Sequence, residues 1–200
     1  MSAQVITREL SRLERGALER HMLALGGEDR RLRFGLALPD EAVRGYVAHI
    51  DFERDALFGV FDDELQLAGA AHLARGERHV ELGISVLSSW RGRGLGAALL
   101  TRCHMRARNW TVRKLFMHCL SENSAMMHLA RKQGMTISAS SGEADAWLEL
   151  PLADASSYAI EVLAERLGQF DFALKSQRRA IHGICAAGMR ASMVRTRPAR

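Results

Sequence analysis

The chain has 200 residues, of which 48% are hydrophobic and 26% are charged, as in soluble globular proteins of one domain. No apolar run approaches the ~20 residues that span a bilayer, and the first residues lack the pattern of a secretion signal. The three cysteines have no paired spacing, so neither a disulfide framework nor a zinc site is indicated. We expect a soluble cytoplasmic protein that binds no metal and no membrane.

The net charge of +5 comes from the end of the chain. After Asp171 there are seven lysine and arginine side chains and no acidic one. Such a basic tail attracts nucleic acid, but no aromatic residue is interleaved with its last arginines to stack on bases. We therefore expect no specific nucleic-acid binding.

The first 50 residues predict one short strand and two helices. Residues 5–10 form the predicted strand. Ser11 and Glu14 have the spacing of a capping box, which begins a helix that the glycines at 26 and 27 end. A proline followed by two acidic residues begins the second helix, predicted over residues 39–50.

Apolar segments with two different periodicities then predict a sheet that is crossed by further helices. Strands are predicted over 56–61, 66–74, 79–87, 115–120, 135–139 and 144–150, and helices over 95–110 and 123–133. This mixed order predicts an α/β or α+β fold in which helices cover a mixed sheet. We expect one domain over residues 1–152 and a helical extension with a basic tail over residues 153–200.

The extension is predicted to be helical over residues 154–179. One face of this helix is apolar and carries Tyr158, Val162, Leu163, Leu167, Phe170 and Leu174. An apolar face of this size has to be covered, so it is expected to pack on the core or on another subunit. A homodimer through this helix is one of these two arrangements.

The strongest functional signal is a glycine-rich segment after the strand over 79–87. Gly92, Gly94 and Gly96 permit a sharp turn, and the helix that follows offers unpaired N–H groups and the positive end of its dipole. Such a turn binds phosphate or pyrophosphate, and Arg91 and Arg93 add positive charge. The segment is not a Walker loop, which ends in Gly-Lys-Ser/Thr, and its glycine spacing differs from the dinucleotide fingerprint.

The run over residues 84–100 resembles the acyl-CoA loop of the GNAT N-acyltransferase superfamily, whose (Q/R)-x-x-G-x-(G/A) motif is met by Arg91, Gly94 and Gly96. A second likeness lies downstream. There the chain follows the family's N-x-x-A-x-x-L-Y-x-x-x-G-F frame at Asn123, Met126, Leu129, Gly134 and Met135. The resemblance covers residues 5–150 and implies the GNAT fold, here with an appended C-terminal helix, and acetyl-CoA as the co-substrate.

The resemblance also implies which residues bind the co-substrate. In the family, loop amides hold the pyrophosphate of coenzyme A, the preceding strand pairs with its pantetheine arm, and an asparagine contacts it near the sulfur. In this chain the loop contacts fall on Arg91, Gly92, Arg93, Gly94, Leu95, Gly96 and Ala97. The strand contacts fall on Ile84, Ser85 and Val86, and the asparagine is Asn123. The implied reaction is direct attack of a primary amine on the thioester.

Two residues are candidates for the general base that deprotonates the amine. Glu81 lies in the strand where many relatives carry a catalytic glutamate, and alternation places it on the same side as Gly83 and Ser85. His118 lies where some relatives place a glutamate, and histidine titrates near neutral pH. We place Glu81 first and His118 second, since a hydrogen-bonded core histidine is the other reading of His118.

The chain departs from the family at Ala130, where many relatives have a tyrosine that protonates the sulfur. Either water protonates the thiolate, or helix-end amides stabilise it. The departure leaves a second function open, namely a catalytically weak or silent acyl-CoA-binding regulatory module that acts through the C-terminal helix.

The stretch over residues 29–34 bears on the acceptor. It resembles the D-R-x-x-R-F sequence in the GNAT domains of bacterial Pat-type protein-lysine acetyltransferases, a subgroup that also tends to have alanine in place of the tyrosine. The resemblance points to protein lysine as the acceptor, beside a small-molecule amine.

Overall fold

The computed structural model describes residues 4–76 and 79–195, with side chains described through His182. Within these residues lie seven strands: β1 (Arg8–Glu9), β2 (Ala56–Phe61), β3 (Leu67–Arg75), β4 (Val80–Val86), β5 (Lys114–Leu120), β6 (Thr136–Ser140) and β7 (Glu143–Glu149). They form one sheet in the order β1-β2-β3-β4-β5-β7-β6. Neighbouring strands are antiparallel except β4 and β5, which are parallel. The predicted mixed sheet is confirmed.

Helices cover both faces of this sheet. The described residues form α1 (Arg15–Leu23), α2 (Gly27–Phe34), α3 (Asp40–His49), α4 (Leu95–Asn109), α5 (Ser124–Lys132) and α6 (Ala155–Arg195). On one face, Leu99 of α4 packs in a cluster with Phe58 and Leu82. On the other face, α1 and α3 bury Leu18 and Val43 in a second cluster. The core is therefore a sheet between two helical layers.

The sequence predicts the capping box before α1 correctly but does not predict α2. Ser11 and Glu14 form both hydrogen bonds of the box at the start of a 3-10 turn (Arg12–Glu14) that leads directly into α1. The segment after the glycine pair has no apolar periodicity, so the sequence did not predict a helix there. In the structure α2 carries Glu28 and Asp29 in its first turn, where acidic side chains favour a helix, and it ends at Gly35 with φ 82°.

The strands β4 and β5 pair only at their beginnings. Val80 lies opposite Leu115 and Glu81 lies opposite Phe116, and the described register goes no further. β4 continues along β3 to Val86, while β5 continues along β7 over its whole length. Because each strand follows its outer neighbour, the two strands diverge and open a gap in the middle of the sheet.

The C-terminal helix differs from the prediction in length and in packing. α6 continues to Arg195 instead of ending near residue 179. Its polar side faces the rest of the protein: Glu161 and Glu165 accept hydrogen bonds at 3.0 and 3.2 Å from Arg102 of α4, whose side chain is 2% exposed. Gly168 approaches β1 so closely that a Cβ atom would overlap the Thr7 carbonyl oxygen.

The apolar side of α6 faces away from the protein. The six residues that the sequence predicts on this apolar side are 38–64% exposed: Tyr158, Val162, Leu163, Leu167, Phe170 and Leu174. Of the two expected arrangements, packing of this face on the core of the same chain is therefore wrong, and packing on another subunit stays a prediction. The buried guanidinium of Arg102 needs carboxylate partners, and these lie on the opposite side of α6.

Three further expectations concern the ends and the cysteines. Among the described helices, none combines the length and the apolar character of a membrane span. Residues 196–200, which hold the last arginines of the basic tail, lie outside the described residues. Cys103 and Cys119 are buried free thiols, as expected, and burial raises the pKa of both.

Candidate active site

The glycine-rich segment forms the turn that begins α4. Gly92 and Gly94 have φ values of 74° and 83°, in the left-handed region that glycine adopts without strain. Gly94 is the N-cap of α4, and the first helical hydrogen bond runs from the Ala98 amide to the Gly94 carbonyl at 3.0 Å. The amides of the first turn therefore have no partner within the helix and point to the helix's N-terminal end, where they favour an anion.

This turn lines a cleft of about 430 Å³, which we call the cofactor cleft. The structure brings together ten of the eleven predicted binding residues there: Ile84, Ser85, Val86, Arg91, Gly92, Gly94, Leu95, Gly96, Ala97 and Asn123. Arg93 does not line the cleft, and its guanidinium carbon lies 4.6 Å from the centroid of the Trp90 ring. The size of the cleft and its row of free amides fit a phosphate-bearing substrate arm.

Charged residues that the sequence did not single out also line the cofactor cleft. Asp29 of α2 forms an ion pair with Arg91 at 2.6 Å, which fixes α2 beside the loop. His128 and Lys132 are four residues apart on α5 and line the same cleft. Their i, i+4 spacing indicates that the two side chains lie on one face of a helix. The sequence does not show whether that face of α5 is turned toward the loop.

Asn123 has a structural role at the start of α5. Its Oδ1 accepts a hydrogen bond from the Met126 amide at 3.2 Å, and its Nδ2 donates to the Leu32 carbonyl at 3.3 Å. The residue is 7% exposed. The side chain that the sequence predicts to contact the cofactor therefore caps α5 and ties it to α2, while it still lines the cofactor cleft.

A second cavity, of about 230 Å³, lies in the gap between β4 and β5, and we call it the gap cavity. Both candidate bases line it. Glu81 is exposed on β4, next to the point where the strands diverge. His118 of β5 is 43% exposed at its side chain, and its Nδ1 lies 2.8 Å from a carboxylate oxygen of Asp145. His118 is therefore not a core histidine.

Position 130 cannot supply a proton to the coenzyme A sulfur, because the alanine there is enclosed by other side chains and has no ionisable group. Ala130 is fully buried in α5 and packs with Met117, Met135 and Ala146.

Cys119 lines the gap cavity, but burial raises the pKa of its thiol, which keeps it protonated and a weak nucleophile at neutral pH. An acyl-cysteine intermediate therefore has little support. In the part of the chain that the structure describes, no three His, Cys, Asp or Glu side chains form a metal-binding group.

Comparison with known proteins agrees with this geometry. The model of the acetyltransferase (GNAT) family matches residues 17–135. No curated protein shows a significant match.

Solved structures show the same fold at low sequence identity. The GNAT domain of S. lividans PAT has a TM-score of 0.62 and 19% identity, covering 72% of this chain and 89% of its own. YncA of Salmonella typhimurium, a putative acetyltransferase solved with acetyl-CoA, has a TM-score of 0.58 and 16% identity, covering 76% and 98%. A phosphinothricin acetyltransferase of Sinorhizobium meliloti, solved with the same ligand, has a TM-score of 0.59 and 16% identity. The match covers 75% of this chain and 89% of that enzyme.

Proposed function

Because the chain belongs to the GNAT acetyltransferase family and is an N-acetyltransferase, we propose that it transfers the acetyl group of acetyl-CoA directly to a primary amine, with Glu81 as general base. The observation that carries this proposal is that the two cavities meet. The cofactor cleft and the gap cavity share Leu32, Arg33, Ile84 and Met126. A thioester in the first and an amine in the second would meet at these residues, and holding both reactants together lowers the barrier to attack.

The chemistry requires that the amine lose a proton, since an alkylammonium has a pKa near 10 and no free electron pair. Glu81, in the gap cavity, accepts this proton directly or through a water molecule. The neutral amine nitrogen then bonds to the thioester carbon and gives up its second proton to water, and the carbon–sulfur bond breaks with its electron pair on sulfur. His118 takes the role of base if Glu81 does not.

The acceptor we favour is a lysine side chain of a protein. This choice rests on the Pat-like stretch over residues 29–34, which forms most of α2 and contributes three residues to the cofactor cleft. A Pat GNAT domain is also among the similar structures, at an identity that speaks for the fold alone. A small-molecule amine is the other acceptor class, and parallel assays with a panel of amines and with lysine-containing proteins separate the two.

The test of the function is release of coenzyme A from acetyl-CoA in the presence of acceptor. We expect Glu81→Gln to lower kcat at neutral pH by at least 100-fold, the usual order for a lost general base, and to leave acetyl-CoA affinity unchanged. Glu149→Gln is the matched control, because Glu149 is an exposed carboxylate on β7 outside both cavities.

Two results would count against this assignment. Absence of turnover with every acceptor, despite acetyl-CoA binding, would favour the regulatory module. Wild-type kcat in Glu81→Gln would move the base to His118, which His118→Asn then tests.

The alternative function, an acyl-CoA-binding module acting through α6, has one observation in its favour, the exposed apolar side of that helix. We also propose that this side pairs with a second copy of the chain, so that residues 1–152 form the acetyltransferase domain and residues 153–200 an extension for assembly. Assembly is compatible with either function. Turnover decides between the two functions.

A further inference from the structure

Four residues line both cavities, and one of them is charged. Leu32, Ile84 and Met126 are apolar, whereas Arg33 of α2 brings a guanidinium to the place where the cofactor cleft and the gap cavity meet. This guanidinium lies directly over Gly83 of β4, where a Cβ atom would overlap it. A side chain at position 83 would displace the charge, so the glycine leaves room for it.

Arg33 is held in place by a chain of hydrogen bonds. Its Nη2 donates to the Tyr46 hydroxyl at 3.0 Å, and that hydroxyl lies 2.7 Å from Nδ1 of His72. The His72 Nε2 lies 2.9 Å from a carboxylate oxygen of Asp55. A carboxylate only accepts, so His72 donates to Asp55 from Nε2, and burial lowers the pKa of His72 and favours its neutral form. The neutral ring then accepts at Nδ1 from the Tyr46 hydroxyl, which in turn accepts from Arg33. The Arg33 guanidinium also lies 4.9 Å from the centroid of the Phe34 ring.

Arg33 has no ion-pair partner among the described residues, although Glu81 lines the same gap cavity. Among the described residues, no carboxylate lies within 4.0 Å of the Arg33 guanidinium, and its buried Nε has no hydrogen-bond partner. Arg31, two residues earlier in α2, instead forms ion pairs with Glu28 and Glu122. A half-buried cation without a counter-charge is costly to the folded protein, and it becomes favourable when an anion forms beside it.

Attack of the amine produces such an anion. The electron pair of the carbonyl π bond first moves to oxygen, and it returns as the carbon–sulfur bond breaks and leaves its pair on sulfur. The nitrogen, which gave its first proton to Glu81 before attack, loses its second proton to water, and the thiolate takes a proton from water after it leaves. With alanine at position 130, that helix position offers no hydroxyl to the sulfur.

We propose that the Arg33 guanidinium stabilises the negative charge of the reacting thioester. This charge lies first on the carbonyl oxygen and finally on the sulfur of the departing coenzyme A thiolate. This inference rests on the proposed function, because it places the thioester where the two cavities meet. It makes Arg33 a catalytic residue of an unusual kind, since it acts as a fixed charge and not as a proton donor.

The test measures the thiol of bound coenzyme A, followed through the ultraviolet absorbance of the thiolate as pH is raised. Free thiols have a pKa near 8.5. In the wild-type complex we expect the ionisation constant to be at least tenfold larger than for free coenzyme A. Arg33→Met should abolish this difference and lower kcat at least tenfold, while Arg33→Lys should keep part of both. Arg31→Met is the matched control and should behave as wild type.

Several outcomes separate this inference from the proposed function. If coenzyme A does not bind to the wild-type protein in calorimetry, the proposed function fails. If it binds and its thiol titrates as in free solution, the Arg33 inference fails while the function stands. A thiol that stays acidic in Arg33→Met also overturns it. Unchanged affinity for desulfo-coenzyme A, with an unchanged melting temperature, shows that the variant is folded with an intact cleft.

Discussion

At the scale of single residues, His21 shows how burial fixes a protonation state beside the site. The residue is 3% exposed, and its Nδ1 lies 2.8 Å from the Leu67 carbonyl, to which it must donate. Its Nε2 therefore accepts a hydrogen bond from the Ser85 hydroxyl at 2.8 Å. Burial lowers the pKa of His21 from its ordinary 6.5 to about 4, although the bond to Leu67 opposes this. Neutral His21 thus orients Ser85 on β4.

This depressed pKa predicts that the protein loses stability as pH falls from 6.5 toward 4. In that range the unfolded chain binds a proton at His21 that the folded protein does not bind, so acid favours unfolding. Between pH 7 and pH 5 we expect a loss of about 2 kcal/mol in the free energy of unfolding from this residue. Urea denaturation of wild type and His21→Gln at the two pH values measures it.

The comparison between the two proteins isolates His21, because His72 and His104, whose pKa values burial also lowers, contribute equally to both. His49→Gln is the matched control, since His49 is exposed on α3 and should leave the wild-type pH dependence unchanged. An equally steep loss of stability in His21→Gln would contradict the assignment.

Single residues also show the limit of sequence-based prediction. His21 falls within the first predicted helix, but the sequence does not show that the structure buries it. Its partner Ser85 follows 64 positions later, and nothing local in the sequence joins the two. Arg33 was part of a resemblance to the Pat sequences, but its place over Gly83 depends on how α2 lies across the sheet.

At the scale of elements, the turn before α4 gives a prediction about acetyl-CoA binding. A cleft-side side chain at Gly94 meets almost no protein atom, since the nearest is a methyl of Val5 at 4.0 Å. Substitution therefore acts through the left-handed φ of 83°, which a β-branched residue resists, and through the space that the ligand needs. We expect Gly94→Val to weaken acetyl-CoA binding at least tenfold, about 1.4 kcal/mol, in calorimetry.

The control for backbone strain is Gly134→Val. Gly134 also has a left-handed φ, 71°, and open space around it, but it follows α5 outside both cavities. The Gly134→Val variant should lose stability and keep its affinity for acetyl-CoA. Arg91→Ala should cost less affinity than Gly94→Val, because Arg91 is half exposed and already paired with Asp29. If folded Gly94→Val binds acetyl-CoA with wild-type affinity, the loop is only a turn and does not hold the cofactor.

The elements differ in how well the sequence predicts them. The strands and α4 follow from apolar periodicity, and the loop follows from glycines that adopt positive φ. The helix α2 has no such periodicity, because charged residues fill most of it, and its acidic first turn was the one local signal. For α6 the sequence predicts an amphipathic helix, but it does not show that ion pairs to Arg102 would turn the polar side inward.

At the scale of the whole molecule, α6 presents an apolar face that the rest of the described chain leaves uncovered. Its exposed apolar side chains include Ile160, Leu163, Leu167, Phe170, Leu174 and Ile181, which follow one another at spacings of three, four, three, four and seven. This is the heptad pattern by which two helices pair. These six side chains are 38–64% exposed in the single chain, so a second apolar helix is needed to cover the seam that they form.

A second copy of the chain is the occupant that this pattern favours, since the same seam is present on each copy and makes the interface self-complementary. We expect the full-length protein to be a dimer at micromolar concentration in sedimentation equilibrium. The double variant Leu167→Glu, Phe170→Glu should be a folded monomer, because these side chains are exposed in the single chain and their loss leaves its core intact. Gln169→Ala changes a neighbouring exposed position outside the apolar seam without adding a charge beside Glu165, to which Gln169 donates at 3.3 Å, and should remain dimeric. A wild-type monomer at every concentration, or a dimer that survives the double variant, would show that α6 serves another purpose.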